Sequence, residues 1–235
     1  MAIYAIGDLH LSLNNEKPMD IFGTKWKNHE ERIKESWLKV VKTTDTILLL
    51  GDLSWKMHLK DMYEDFKYLE DLPGKKIIIK GNHDYWWETL GKMRKFLEVN
   101  NFESIDFLYN NSYDIENKII VGTRGWAIGE TENAKKMNNR ELERLKLSLN
   151  NLAEKNVEKE FICIMHYPPI IRGRDNNLEI NSNYIDLMKE HNVKKCLYAH
   201  LHGDAHDEAF EGIYEDIDFK LVSSDYLNFK LYKLN

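Results

Sequence analysis

Short apolar runs in this sequence end, again and again, on side chains able to ligate a divalent metal. Gly7-Asp8-Leu9-His10 follows Ile3 to Ile6, Gly51-Asp52 follows Thr46 to Leu50, and Gly81-Asn82-His83-Asp84 follows Lys76 to Ile79. Farther along, His166 follows Phe161 to Met165, and His200-Leu201-His202 follows Lys195 to Ala199. Five of the nine histidines therefore stand at the ends of apolar runs. Each fragment alone has a structural explanation. An Asp after Gly forms turns or caps helices, Asn82 suits a left-handed turn position, and a lone His such as His166 packs. Asp, His, Asp, Asn, His, His and His taken jointly point instead to a metal site.

Two ions fit this set better than one, because the donors outnumber the four positions of tetrahedral zinc, and two cysteines are too few for structural zinc. Ions about 3.5–4 Å apart need a bridging oxygen, and Asp52, central in the set, is the expected bridge. Two carboxylates and a hydroxide against two divalent ions leave roughly +1 with neutral histidines, a centre that attracts phosphate even in an acidic protein. Asn82 coordinates through an amide oxygen without cancelling that charge. Mixed carboxylate, amide and imidazole donors suit Mn, Fe, Zn or Co.

The elements that position these residues are legible from periodicity. Continuous Ile/Leu/Val runs are those of strands buried on both faces. Between them lie helical patterns: Ile33, Trp37, Val40 and Val41, then Leu59, Met62, Tyr63, Phe66 and Leu69. Asn28 with Glu31 resembles a capping box that starts a helix near residue 29. A third helix is expected to begin after Asp84, with Trp86, Leu90, Met93 and Leu97 on one face, and a fourth carries Leu142, Leu145, Leu149 and Leu152. The alternation calls for a layered α/β fold with much parallel sheet, whose ligands lie outside the carboxyl ends of the strands. Ile217 to Leu221 and Phe229 to Tyr232 alternate apolar with polar, the pattern of half-exposed antiparallel strands. No linker interrupts the chain, so one domain over residues 1–235 is expected.

Composition narrows the class of function. With 33 Lys+Arg against 39 Asp+Glu, the net charge of −6 argues against a partner as large and anionic as extended nucleic acid, although not against a short oligonucleotide. No apolar run approaches the roughly 18 residues of a membrane span, and Ala2 to Ile6 is too short for the apolar core of a signal peptide. Cys163 and Cys196 lie within apolar runs, where free thiols pack as small hydrophobes. A reducing, cytoplasmic, membrane-free setting is expected.

The ordered set Asp8-Leu9-His10, Gly51-Asp52, Gly81-Asn82-His83-Asp84, His166 and Ala199-His200-Leu201-His202 resembles the calcineurin-like metallophosphoesterase superfamily. Leu53-Ser54-Trp55 stands where protein serine/threonine phosphatases carry Asp-Arg-Gly, and Asp84 where they carry Glu. The resemblance is therefore to the bacterial predicted phosphohydrolase branch and to cyclic-nucleotide phosphodiesterase and nuclease-like branches. It implies an α-β-β-α sandwich with mixed sheets and two divalent ions. Asp8, His10, Asp52 and His202 would hold one ion, and Asp52, Asn82, His166 and His200 the other. It implies too that His83 faces the substrate, stabilising the phosphoryl transition state or protonating the leaving oxygen, while Asp84 orients its ring; capping the third helix explains Asp84 equally well. Ala199 replaces the family's glycine.

The reaction so implied is hydrolysis of a small phosphate mono- or diester by a dimetal-bound hydroxide attacking in line with the leaving oxygen. Arg172 and Arg174, in the loop after His166, are expected to bind a non-reacting phosphate. Arg124 and Trp126, after the fourth strand, are a second candidate substrate loop, and Trp55, Trp86 and Trp87 could join Trp126 in an aromatic wall, although Trp86 falls on an apolar helix face. Two alternatives stand: a non-catalytic metal-binding scaffold of this fold, and a nuclease-like phosphodiesterase.

Overall fold

A computed structural model describes residues 1–13, 17–151, 158–173 and 175–234. Leu152 and Arg174, singled out above, lie outside the described residues. The chain runs β1 (Ile3–Ile6), α1 (His29–Val40), β2 (Thr46–Leu49), α2 (Tyr63–Glu70), β3 (Lys75–Ile78), α3 (Leu90–Val99), β4 (Ile105–Phe107), β5 (Tyr113–Ile115) and β6 (Lys118–Thr123). It continues through α4 (Glu132–Asn150), β7 (Glu160–Met165), β8 (Ile170–Arg172), β9 (Leu178–Ile180), α5 (Ser182–Glu190), β10 (Val193–Tyr198), β11 (Gly212–Tyr214), β12 (Ile217–Leu221) and β13 (Tyr232–Leu234). These elements divide into two compact units, Met1–Phe107 with the residues from Val222 on, and Leu108–Leu221.

In the first unit the sheet order is β13-β1-β2-β3-β4. Strands β1 to β4 are parallel, and β13 pairs antiparallel with β1. Parallel neighbours need crossover connections, which the intervening helices provide, and every residue of β1 and β2 is buried as their unbroken apolar runs require. Ile33 and Trp37 of α1, Phe66 and Leu69 of α2, and Met93 and Leu97 of α3 are buried as their spacing predicts, whereas Val40 and Tyr63 are exposed. Helix α1 does start at His29, but no capping box forms. Asn28 is left-handed, and its side chain makes no cap hydrogen bond. Helix α3 starts at Leu90, with Thr89 rather than Asp84 in the N-cap position.

Lys76 of β3 is fully buried, its ammonium donating to the Leu72 carbonyl and, at 3.0 Å, to Ser104 Oγ. Burial pulls its pKa from 10.5 down to about 8. Between those values the unfolded chain keeps the proton that the folded chain has released, so stability from this group rises with pH across that window. Urea unfolding at pH 8 and pH 10 is expected to show this gain in the natural protein and a smaller one in Lys76→Met.

In the second unit the sheet order is β11-β12-β10-β7-β6-β5, with β12, β10, β7 and β6 parallel and antiparallel strands at both edges. Helix α4 packs on β6 and α5 on β10. Strand β12 has the predicted alternation of burial, but it pairs parallel with β10 as well as antiparallel with β11. The last strand begins at Tyr232 rather than Phe229 and joins the first unit's sheet. Val222 leads the chain there, its carbonyl accepting from Gly7 N at 2.8 Å. The segment after His166, expected as a loop, contains the β8–β9 hairpin. Cys163 and Cys196 sit opposite each other on β7 and β10 as buried free thiols. Among the described residues no helix is long and apolar enough to cross a membrane.

Candidate metal centre

In the first unit the residues after β1 and β2 run side by side beyond the sheet. Asp8 N donates to Gly51 O, His10 N to Asp52 O and Leu11 N to Leu53 O, each at 2.9 Å. Ser224 Oγ holds the Asp8 carbonyl at 2.7 Å. Asp8, His10 and Asp52 all take left-handed φ values, 57°, 45° and 49°. Asp and His tolerate this region better than most side chains, and strained backbone of this kind concentrates at functional sites. Asn82, for which a left-handed turn was a ready explanation, does not adopt one.

The side chains converge as well. Asp8 and His10 offer ligand atoms within 4.8 Å of each other, and His10 Nε2 lies 3.9 Å from Asp52 Oδ2. Asp8, Asp52 and His10 are 0%, 1% and 3% exposed. Two carboxylates in so dry a place are costly without positive charge nearby, and carboxylate beside imidazole is a donor set that fits a divalent transition ion.

Asp52 Oδ1 accepts from His83 N at 2.7 Å, which ties the end of β2 to the loop after β3. Asp84 reinforces the tie. Its buried carboxylate accepts from Gly81 N at 2.7 Å, Asp52 N at 3.0 Å, Leu53 N at 2.9 Å and Trp86 Nε1 at 3.0 Å. These bonds, not a helix cap, account for a carboxylate at this position. Gly81 is required by closeness: a Cβ there would sit 2.1 Å from both Asp52 N and Asp52 Oδ1. Gly81→Ala is therefore expected to push Asp52 out of place and to destabilise the protein by about 1–3 kcal/mol, the usual cost of overpacking, measured by urea unfolding.

Asn82 and His83 are half-buried at the same rim. The His83 ring lies 5.9 Å from that of His10 and 4.7 Å from Trp55, while Trp55 stacks on His10 at 4.9 Å. Trp26 meets His10 edge-on at 5.8 Å, and His29 Nε2 lies 3.3 Å from the His10 carbonyl. Burial lowers the pKa of His29, favouring its neutral ring. Trp26 and His29 are not singled out by the sequence, since nothing in local spacing connects them to His10. Trp86 and Trp87 are core residues and form no aromatic wall.

In the second unit His166 N and Tyr167 N both donate to the Arg124 carbonyl, at 3.2 and 2.9 Å, and Ala199 N donates to His166 O at 3.1 Å. These bonds bring the ends of β6, β7 and β10 together. His166 is buried and His200 half-buried, their rings are 5.1 Å apart, and their ligand atoms lie within 4.8 Å of each other. Tyr167 packs on His200 at 4.2 Å. Ala199 is buried outside the left-handed region, which its neighbour His200 occupies at φ 76°, so the methyl in place of the family's glycine strains no backbone. His202 is half-buried and opens a turn, Gly203–Glu208, that carries His206.

Arg124 pairs with buried Glu141 at 3.3 Å and lies over the Trp126 ring at 4.7 Å, and Trp126 in turn packs against Tyr167 at 5.6 Å. The Arg172 guanidinium lies over Phe210 at 5.4 Å.

Residues 1–204 match the sequence profile of the family described as calcineurin-like phosphoesterase. The chain belongs to that family, as its motifs led one to expect. Among curated proteins, the Gene 66 protein of Mycobacterium phage L5 is 30% identical over 77 residues, which are 33% of this chain and 37% of that protein. The chain thus aligns with little more than a third of that relative's length. Among solved structures, phosphopantetheinyl hydrolase from Mycobacterium tuberculosis has a TM-score of 0.58 at 12% identity, over 99% of this chain and 95% of that one. TT1561 of Thermus thermophilus has a TM-score of 0.56 at 17% identity, over 100% and 98%. At these identities the likeness is one of fold.

Proposed function

We propose that this chain hydrolyses a small phosphate mono- or diester with two divalent transition-metal ions as cofactors, and that both units belong to one catalytic domain. Asp8, His10, Asp52 and His202 would hold one ion, and Asp52, Asn82, His166 and His200 the other. Two such cations supply Lewis acidity towards the phosphoryl oxygens and make water a nucleophile near neutral pH. The protein's part is positional and electrostatic. The His83 peptide fixes one oxygen of Asp52, Asp84 clamps the backbone on both sides of that bond, and the His83 ring donates to the phosphoryl group or the leaving oxygen. Arg172 and Arg174 are assigned to a non-reacting phosphate. Arg124, oriented by Glu141, and Trp126 are assigned to the substrate's flank.

One observation carries this reading: a dry cluster of Asp8, His10 and Asp52 in a chain whose family is phosphoesterase. The test is elemental analysis of the isolated protein, then turnover of chromogenic monoesters and diesters with Mn, Fe, Zn or Co added in turn. Metal-dependent hydrolysis that a chelator abolishes and metal restores is the expected result. No turnover with any metal and any ester would favour the non-catalytic scaffold, and turnover confined to oligonucleotides would favour the nuclease.

A further inference from the structure

Building on the reading that His83 faces the leaving group, we propose that Phe22, Trp55 and Tyr85 form a subsite for a planar aromatic ring carried by the leaving alcohol. The favoured substrates would then be phosphate esters of the nucleoside kind. The three rings form a chain with His83 within the first unit: Trp55 and Tyr85 meet the imidazole directly, and Phe22 joins through Trp55. Trp55 is 4.7 Å from His83 and stacks on His10, so it is held in place from below. Phe22 lies nearly parallel to Trp55, at 6.4 Å and 14°. Tyr85, two residues past His83, meets that imidazole edge-on at 6.1 Å.

Phe22 and Tyr85 are 62% and 54% exposed. A single exposed ring needs no explanation, but Tyr85 against His83 and Phe22 against Trp55, which itself packs on His83, make a patch that runs outward from the reaction rim. The Lys17 ammonium lies 4.8 Å over Trp55, adding a cation where an anionic ester would enter. Exposed aromatic rings such as Phe22 and Tyr85 suit stacking on a base, because every nucleobase presents a π-face. An aliphatic leaving group would gain apolar contact there but nothing from the orientation of the rings.

Adenosine 5′-monophosphate and ribose 5-phosphate test this directly, since they share the phosphate ester and differ by the ring. Calorimetric titration of the full Mn-loaded chain with the methylene-phosphonate analogues of both, which cannot be hydrolysed, is expected to give at least about fivefold tighter binding of the nucleotide analogue. That ratio should fall to near one in Phe22→Leu/Tyr85→Leu, which keeps apolar volume and removes both rings. Equal affinity in the natural protein, including no measurable binding of either ligand, overturns the proposal. Retention of the preference by the leucine variant overturns it too, by reducing the patch to a generic apolar surface. The binding ratio decides this point independently of turnover, whereas absence of metal-dependent hydrolysis on every ester would count against the hydrolase reading itself.

Discussion

Asp52→Asn is expected to lower kcat by about 10²–10⁴-fold, the equivalent of several kcal/mol of transition-state stabilisation, and to lower the metal content of the purified protein. The substitution changes little in shape. An asparagine Oδ1 can still accept the His83 N–H that Asp52 Oδ1 accepts at 2.7 Å, and the Asp52 backbone N–H still reaches Asp84. What disappears is the negative charge and the second anionic oxygen, now 3.9 Å from His10 Nε2. In the bridging place proposed for Asp52 a carboxylate would offset the repulsion between two cations, whereas a neutral amide would not. Elemental analysis and steady-state kinetics on a variant with unchanged circular dichroism measure both effects. Full metal content with full activity would remove Asp52 from the centre.

His83→Ala is expected to depress turnover by about 10²–10⁴-fold, the range for a positioned proton donor, while the metal content stays that of the natural protein. The ring is half-buried beside Trp55 and Tyr85, and it is the peptide N–H of His83, not the ring, that holds Asp52. Alanine keeps that N–H, so the buried cluster should survive. If the ring protonates the leaving oxygen, esters of acidic phenols should suffer less than esters of alkyl alcohols, because a phenolate departs without a proton. A uniform loss would assign the ring to the phosphoryl oxygens instead. Loss of metal together with activity would make His83 a ligand.

Both substitutions test side chains whose identity and approximate place are legible in the amino-acid sequence. The kind of residue at each strand end follows from local pattern: an apolar run buried on both faces must stop where the chain leaves the sheet, and polar side chains that follow it stand at the rim. Hence Asp8, Asp52 and His166 are found by reading forward from Ile6, Leu50 and Met165. Helical periodicity likewise places Ile33, Trp37, Phe66 and Leu97 in the core.

Tertiary structure decided which groups meet. Asp84 looked like a helix cap because caps are local, yet its carboxylate binds backbone around Asp52, 32 residues away, a partner that no local rule names. Asn28 and Glu31 had the types of a capping box, but a left-handed Asn28 lacks the extended backbone that an N-cap needs. Strand β12 showed the right alternation with an unforeseen neighbour, because alternation reports which faces are buried and is silent about the strand alongside. Trp55 and Trp126 were equally ambiguous in sequence, and only packing sets one against His10 and the other against Tyr167. Local pattern thus determined the chemistry available at each strand end. The pairing of those ends depended on hydrogen bonds and ring contacts between residues far apart in the chain, which exist only once the sheets have formed.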